Sequence, residues 1–424
     1  MKKNLLLAAG FAAAVLALTV LVAWPREEKI ASSSPAATAA TPANIARGAY
    51  LAKAGDCMAC HTARGGAAYA GGRAIDTPFG HLVAPNITSD RETGIGAWSA
   101  DDFWRALHNG KSRDGRLLYP AFPYTSYTKI TRDDADALFT FLQTVPAQKA
   151  PNQAHDLRFP YNQQIMLAGW RLLYFKPAVY APQKTRDAQW NRGAYLVEGL
   201  GHCVACHSSR NPLGASASGL SGGMIQTLGW YAPSLTSDQE AGLGSWEVPH
   251  IAQLLQSGVS PRATVFGPMA EVVQKSLQHL SDEDATAMAV YLKALPAQPA
   301  APFDMPSGPR VERVLEQGKK LYESHCIDCH GADGKGLPPH YPPLAGNRAL
   351  TMGEAVNPIR IVLNGGFAPV TAGNPRPYGM PPYGHLLNDG EVAAVVSYLR
   401  ASWGNQAPPV TPSEVNRYRS VPLD

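Results

Sequence analysis

The five-residue pattern Cys-x-x-Cys-His occurs three times in this 424-residue chain, and the three copies use all six cysteines. Two thiols separated by two residues can bond to the two vinyl groups of one porphyrin, and the histidine that follows can then ligate its iron. The pattern therefore predicts three covalently attached c-type haems. The predicted attachment residues are Cys57, Cys60, Cys203, Cys206, Cys326 and Cys329, and the predicted proximal iron ligands are His61, His207 and His330.

Other uses of paired cysteines explain this pattern less well. A redox-active Cys-x-x-Cys pair needs no adjacent histidine and would not be expected to recur three times. A structural zinc site takes four ligands, usually from two closely spaced pairs, whereas these motifs lie far apart in the chain. Disulfides would suit an exported protein but would leave the three histidines unexplained.

A thioether opposite the proximal histidine would complete the coordination of each iron and raise its reduction potential. Most methionines only fill cores. However, Met269 follows Gly-Pro and Met380 precedes Pro-Pro at corresponding places after the second and third motifs, in what we call the second and third copies of a longer repeat. We therefore predict Met269 and Met380 as iron ligands. The first copy has Phe122 at the corresponding position, and phenylalanine cannot bind iron.

The first haem is therefore expected either to be five-coordinate or to bind another residue. The candidates in this part of the chain are His81, His108 and His155. His108 lies in a polar stretch typical of the protein surface, so we favour His81, in the sequence Phe-Gly-His. A histidine ligand would give this haem a lower potential than the other two.

An internal repeat positions the three motifs. Arg-Gly-Ala-Tyr-Leu precedes the first two motifs, at residues 47–51 and 192–196, and Gln-Gly-Lys-Lys-Leu precedes the third. After the first two motifs, Ala-Pro-x-x-Thr-Ser-Asp and then Gly-x-Gly-x-Trp recur. Each copy closes with apolar residues spaced three to four apart, at 133–144, 282–295 and 389–402, which predicts one amphipathic helix each.

The repeat predicts a mainly α fold of three tandem cytochrome c domains, each with a few helices around one haem and with long loops. The proposed divisions are an anchor or signal at 1–29, a tether at 30–44, domain 1 at 45–146, a linker strap at 147–187, domain 2 at 188–296, a linker at 297–309, domain 3 at 310–404 and a tail without a clear pattern at 405–424.

The N-terminus indicates the cellular compartment. Lys2 and Lys3 precede an apolar run at residues 5–24 that is long enough to span a bilayer. No cleavage site of the small-x-small type adjoins this run, which favours an uncleaved anchor over a cleaved signal. Both interpretations place the rest of the chain outside the cytoplasm. The predicted location is the periplasmic side of the bacterial inner membrane, with the protein anchored N-terminally.

The composition fits haem domains with long loops, since only 17% of residues are charged and the chain holds 39 Gly and 36 Pro. The formal charge is +4, but each haem would add two propionates, so the holoprotein is expected to be near neutral or acidic. No basic patch suggests a nucleic-acid partner. The linker strap contains an apolar stretch at residues 165–175, too short to span a membrane. It would lie at the membrane surface, against a partner subunit, or packed across the haem domains.

Three further sequences follow the first motif: Pro-Asn-Ile-Thr-x-Asp, Gly-Ile-Gly-x-Trp and Leu-Tyr-Pro-Ala-x-Pro-Tyr. With the three haem motifs, they make the chain resemble, from residue 45 to about 403, the tri-haem cytochrome c subunits of bacterial membrane-bound dehydrogenases. The resemblance implies electron transfer, on the periplasmic face, from a catalytic dehydrogenase subunit to ubiquinone, a terminal oxidase or another respiratory acceptor. A small iron–sulfur or accessory subunit is a further implied partner.

Within this family, the subunits that serve quinoprotein alcohol dehydrogenases usually have methionine where this chain has Phe122. Phenylalanine there is more typical of partners of molybdenum hydroxylases. The resemblance therefore favours a partner that oxidises aldehydes or N-heterocycles, with the quinoprotein alcohol type as the alternative.

The chain shows no pattern typical of a nicotinamide or flavin site and no nucleophile paired with a base, so no independent catalytic site is identified. A second interpretation is a haem enzyme resembling a peroxidase, or a gas sensor, with an open first haem. Asp90 and Glu92 are the acids near that haem in sequence, but their repetition as Asp238 and Glu240 suggests a structural loop. A third interpretation is a free electron shuttle, which an anchored chain of this size does not favour.

Overall fold

The computed structural model describes residues 33, 35–217, 219–238, 241–297 and 303–421. The fold is mainly helical, as predicted, with three small antiparallel sheets. The predicted anchor at 5–24 lies outside the described residues. Within them, no helix is both long enough and apolar enough to cross a membrane. The described chain forms two compact units, one holding the chain up to Ala52, Cys60–Ala181 and Pro212–Ala215, and the other holding Lys53–Ala59, Pro182–Asn211 and the chain from Ser216 onward.

Each copy of the repeat is built on two long helices. We call the helix before each haem motif the leading helix and the helix that ends each copy the closing helix. The leading helices are Pro42–Ala54, Ala188–Tyr195 and Pro309–His325. The closing helices are Arg132–Leu142, Asp282–Lys293 and Asp389–Ala401, close to the three predicted stretches.

The leading and closing helices touch at a glycine in every copy. A Cβ atom built on Gly48, Gly193 or Gly318 would lie only 1.9–2.1 Å from a backbone oxygen of the closing helix. The side-chain atom it would also meet is the Cβ of an aromatic residue: Phe141, Tyr291 or Tyr398. Because only glycine allows this approach, the Gly in the repeated sequence before each motif is a packing requirement.

The arginine before this glycine explains why Arg-Gly recurs. Arg47 pairs with Asp134 at 2.6 Å, and Arg192 pairs with Asp284 through two 2.7 Å bonds. Both aspartates lie in the first turn of a closing helix, where a carboxylate also suits the helix dipole. The hydroxyls of Thr131 and Ser281 cap the same turns. The ion pair and the cap therefore fix the start of the closing helix against the leading helix.

Shorter elements complete the first unit. The strands Ala74–Thr77 and Gly80–Val83 form a hairpin, and Asp156–Leu157 adds a third strand beside the second. Ser99 and Asp102 form a reciprocal capping box at the start of the helix Ala100–Asn109. The remaining helices of this unit are Pro35–Thr38, which lies within the proposed tether, and Tyr124–Tyr127. The haem-motif turn Cys57–Cys60 spans the boundary between the two units.

The apolar stretch of the linker strap forms the helix Gln164–Tyr174. Leu167 and Ala168 are buried on its inner face against Leu117 of the first copy. The Gln164 side chain accepts a 2.8 Å bond from the Leu117 amide. The inner face therefore packs on a haem-domain loop, while the large side chains of Ile165, Met166, Leu172 and Leu173 remain exposed on the outer face.

The second unit holds the second and third copies, which pack on each other. The side chain of Asn357 bonds both the amide and the carbonyl of Tyr231, at 3.0 and 2.8 Å. The Thr371 hydroxyl donates to the carbonyl of Ser257 at 3.0 Å. The remaining helices here are Leu196–Leu200, Cys203–Ala205, Val248–Ser257, Pro268–Lys275, Leu277–His279, Ile327–His330, Arg348–Thr351 and Val356–Asn364. The strands are Gly223–Ile225, Trp230–Ala232, Gly366–Phe367 and Gly379–Met380.

The proposed tail, for which no clear pattern was expected, contains the helix Pro412–Arg419. Thr411 and Glu414 form a capping box with Pro412 in the first turn, a signal that is present in the sequence. Val415 is fully buried against the third copy. Arg419 pairs with Asp389 at 2.6 Å, at the start of the closing helix. The tail therefore covers the third copy.

Replacing the crossing glycine should destabilise the fold. In Gly193→Ala, the new Cβ would lie 1.9 Å from the Ala287 oxygen, so we expect a loss of about 1–3 kcal/mol or more in unfolding free energy. Gly169→Ala is the matched control, because no atom lies within 4 Å of a Cβ built there. Mid-helix Gly→Ala should then stabilise by about 0.5–1 kcal/mol. Thermal unfolding of the two holoproteins measures this, and equal midpoints would contradict the packing argument.

Candidate haem-binding sites

Each Cys-x-x-Cys-His motif follows the end of a leading helix and forms a short helical turn: Cys57–Cys60, Cys203–Ala205 and Ile327–His330. None of the six cysteines, all of which the structure describes, is joined in a disulfide. In every motif the first cysteine is partly buried and the second is exposed. The turn therefore presents two reduced thiols next to one histidine, the arrangement that attachment of a c-type haem requires.

The three motif histidines are held in the same way. The ring Nδ1 of His61 lies 2.7 Å from the carbonyl oxygen of Pro85, and that of His207 lies 2.7 Å from the carbonyl of Pro233. His330 makes the equivalent contact with Pro342 at 3.1 Å. A carbonyl only accepts hydrogen bonds, so each Nδ1 must carry the proton and donate it. Nε2 is then the unprotonated nitrogen, as an iron ligand must be.

The electrostatic surroundings also suit metal ligation. Burial lowers the pKa of all three histidines, that of His207 to about 4, so the rings stay neutral at physiological pH. Burial raises the pKa of the Cys203 thiol to about 12 and that of Cys326 to about 11. Reactive cysteines in redox pairs show the opposite shift. Cys203 and Cys326 therefore lack the lowered pKa of a reactive redox thiol.

The prolines that hold the histidines were not recognised as functional from the sequence. The signal was the Ala-Pro that recurs after the first two motifs, at Pro85 and Pro233, with Pro342 in the third. Sequence alone shows the repetition, but only the folded chain shows that these carbonyls accept the histidine protons.

The predicted methionine ligands are both partly buried. Met380 lies in the strand Gly379–Met380 and packs against the same core as Cys326 of the third motif. Met269 lies in the first turn of the helix Pro268–Lys275, after Gly267, whose φ of 58° suits glycine. Trp230 leaves no space for a Cβ at Gly267. Met380 and the third motif therefore share one core, and the ligation of iron by Met269 and Met380 stays a prediction.

The first copy differs from the others around Phe122, which stands where methionine is expected. Its ring is partly buried and packs on Tyr127, with the ring centroids 5.4 Å apart. Its amide donates to the carbonyl of Tyr119 at 3.0 Å. Phe122 is therefore an apolar part of the loop and offers no atom that could bind iron.

The three alternative histidines, two in the first copy and His155 in the linker strap, each use Nδ1 within the protein. His81 is exposed in the strand Gly80–Val83 and contacts the carboxylate of Asp76 at 2.6 Å. His108 contacts the carbonyl of Thr128 at 2.8 Å, and its ring stacks on another aromatic side chain. His155 accepts a 3.2 Å bond from a strand amide. His81 stays the predicted sixth ligand of the first haem.

The acids near the first motif have structural partners. Asp90 accepts bonds from the Thr93 amide and hydroxyl at 2.6 and 2.8 Å, and these bonds lower its pKa. Glu92 is exposed and pairs with Lys149 at 2.7 Å. Such contacts are typical of a turn in which side chains bond to nearby backbone groups, which agrees with the structural role expected for this loop.

Each copy is mainly helical and carries a Cys-x-x-Cys-His motif whose histidine bonds to a proline carbonyl. These features define a c-type cytochrome. A sequence profile of the cytochrome c family matches residues 45–146 and 315–403. The chain is 40% identical to the gluconate 2-dehydrogenase cytochrome c subunit of Pantoea cypripedii over 87% of each protein. It is 37% identical to the cytochrome c subunit of the quinone-dependent alcohol dehydrogenase of Gluconobacter oxydans, over 90% of this chain and 83% of the relative. The chain belongs to this family of dehydrogenase cytochrome c subunits.

A third relative is much longer than this chain. It is a nicotinate dehydrogenase subunit of Pseudomonas putida, 41% identical over 95% of this chain, but the match spans only 34% of that relative. The part matched is therefore about a third of a larger polypeptide.

Removing a methionine ligand should lower the potential of one haem. In Met380→Leu the thioether is lost with little change in volume, so we expect one midpoint potential to fall and the far-red band of methionine-ligated ferric haem to weaken. Met352→Leu is the control in the same copy, because Met352 is buried in the core. It should cost less than about 1.5 kcal/mol of stability and leave the potentials unchanged. Identical potentials in both variants would exclude ligation by Met380.

The sixth ligand of the first haem can be tested by electron paramagnetic resonance at low temperature. If His81 binds iron, the oxidised protein shows three low-spin ferric signals, and His81→Ala converts one of them to high spin. His108→Ala should leave all three low-spin, because His108 is held by Thr128. A high-spin signal in the unmodified protein would mean that His81 is not the ligand and that the first iron is open.

Proposed function

We propose that this chain is the three-haem electron-transfer subunit of a membrane-bound dehydrogenase complex. It would carry cytochrome c domains at 45–146, 188–296 and 310–404, with one covalent haem c in each. The observation that carries the proposal is the threefold Cys-x-x-Cys-His motif with its histidine Nδ1 bonded to a proline carbonyl. The helix crossing at Gly48, Gly193 and Gly318 supports three domains, since each copy has its own pair of packed helices.

The proposed electron donor is a catalytic dehydrogenase subunit, and the proposed acceptor is ubiquinone or another respiratory component. Relatives named as subunits of gluconate, alcohol and nicotinate dehydrogenases support the donor class. Nicotinate is a nitrogen heterocycle, and Phe122 in place of methionine also favours a heterocycle- or aldehyde-oxidising molybdenum partner. The quinoprotein alcohol type is the alternative. The long relative supports close association, because there a similar cytochrome region is part of a larger chain.

The proposed location is the periplasmic face of the inner membrane, with the apolar run at residues 5–24 as the anchor. Covalent haem attachment on that side of the membrane agrees with this location. The exposed outer face of the helix Gln164–Tyr174 would contact either the catalytic subunit or the lipid surface.

A second candidate function is a haem enzyme or gas sensor that uses an open first iron. Phe122 favours it, because this side chain leaves the expected sixth position without a ligand. The structural partners of Asp90 and Glu92 weigh against it, since a peroxidase-like site needs an available acid or base beside the iron.

The proposed function predicts three haems per chain and reduction by a partner. The pyridine haemochrome spectrum of the purified protein should give three haems per polypeptide. A tagged chain should co-purify with a dehydrogenase subunit, and the substrate of that subunit should then reduce all three haems, which a ubiquinone analogue reoxidises. Changing both Cys203 and Cys206 to alanine should leave two haems. Three haems without any co-purifying subunit, together with rapid peroxide turnover, would favour the second candidate.

A further inference from the structure

Two arginines of the third copy are buried against aromatic residues of the second copy. Arg360, on the helix Val356–Asn364, is fully buried, and its guanidinium carbon lies 4.8 Å from the Trp230 ring centroid. Arg348, the first residue of the helix Arg348–Thr351, is 8% exposed, and its guanidinium carbon lies 6.0 Å from the centroid of the Trp246 ring. Two permanent cations are therefore inserted where the second and third copies meet.

Arg348 is incompletely satisfied there. Its Nη2 donates a hydrogen bond to the carbonyl of Ser234, while its buried Nε has no hydrogen-bond partner within the described part of the chain. No carboxylate among the described residues pairs with it. Burial lowers the pKa of this guanidinium to about 10, with only Asp238 acting in the opposite direction. A buried cation with few anions around it is costly, so this position is suited to a further carboxylate, which no described residue other than Asp238 supplies.

The carbonyl that receives the Arg348 hydrogen bond is next to the second haem site. Ser234 follows Pro233, whose own carbonyl accepts the Nδ1 proton of His207 at 2.7 Å. The Arg348 guanidinium of the third copy therefore bonds to the residue that follows Pro233, and the Pro233 carbonyl orients the proximal histidine of the second copy.

We propose that Arg348 is a positioning and redox-tuning residue that the third copy supplies to the haem of the second copy. Its guanidinium binds a propionate carboxylate of that haem and raises the midpoint potential. The proposal rests on the proposed function only in requiring a haem at Cys203 and Cys206.

The physical reason is the charge change on reduction. An added electron makes the haem more negative, and a fixed cation in a low-dielectric interior stabilises that state more than it would in water. Pairing with a propionate acts in the same direction, because it neutralises a negative charge near the iron. The potential of the second haem then depends on how the third copy packs against it, which links two haem sites through one side chain.

The test is a spectroelectrochemical titration of the full-length holoprotein with Arg348→Gln and Arg348→Lys. We expect one of the three midpoint potentials to fall in Arg348→Gln, and the same wave to be displaced by Met269→Ala. Arg348→Lys keeps the charge and should restore most of the potential. The matched control is Arg262→Gln, because the Arg262 guanidinium carbon lies 5.8 Å from the same Trp246 ring but the side chain is only partly buried and belongs to the second copy. It should leave the three potentials unchanged.

The haem count separates the possible failures. Three haems with unchanged potentials in Arg348→Gln would overturn the role of Arg348 and leave the proposed function intact. An equal fall in the glutamine and lysine variants would overturn it as well, since the charge would not be the cause. Fewer than three haems in the unmodified protein would count against the proposed function itself. If Arg348→Gln does not fold, Arg348→Met serves as the neutral variant: a fall that Arg348→Lys does not show supports the charge role, and an unchanged potential overturns it.

Discussion

The approach of two helices at a single glycine is the constraint on which each copy depends. The leading helix ends where the haem motif begins, so the position of the motif is set by where that helix packs. Gly48, Gly193 and Gly318 let the closing helix come within backbone contact, and any side chain there would push the helices apart. The Arg47–Asp134 and Arg192–Asp284 pairs then fix the register of the crossing in the first two copies.

A second contact, from the proximal histidine to a proline carbonyl, orients the imidazole of each motif for binding iron. The carbonyls of Pro85, Pro233 and Pro342 belong to loops that return to the motif after a sheet or a turn. Proline cannot donate from its nitrogen, but its carbonyl is a full acceptor, and it holds the imidazole in the tautomer that a metal requires. The loop between the helices is therefore part of the iron site.

The copies differ at the predicted sixth iron ligand and in the charges that one copy presents to another. Phe122 stands in the first copy at the position where the other two have the predicted ligands Met269 and Met380. Arg348 and Arg360 bring buried charge from the third copy to the second. Because burial strengthens the effect of a charge, such differences can set unequal potentials on similar haem domains, and unequal potentials give electron transfer a direction.

The sequence by itself determined the helical class, the haem motifs, the closing helices and the family, because covalent attachment needs fixed residues at fixed spacing and helices bury residues at a fixed period. It also contained a capping signal for the helix Pro412–Arg419. This signal marks where the helix starts, but it does not indicate which part of the protein the helix packs on. Only the tertiary structure decided that proline carbonyls hold the histidines, that His81 contacts Asp76, and that Arg348 reaches Ser234. Most of these contacts join residues distant in the chain, and no local pattern encodes which distant atoms will meet.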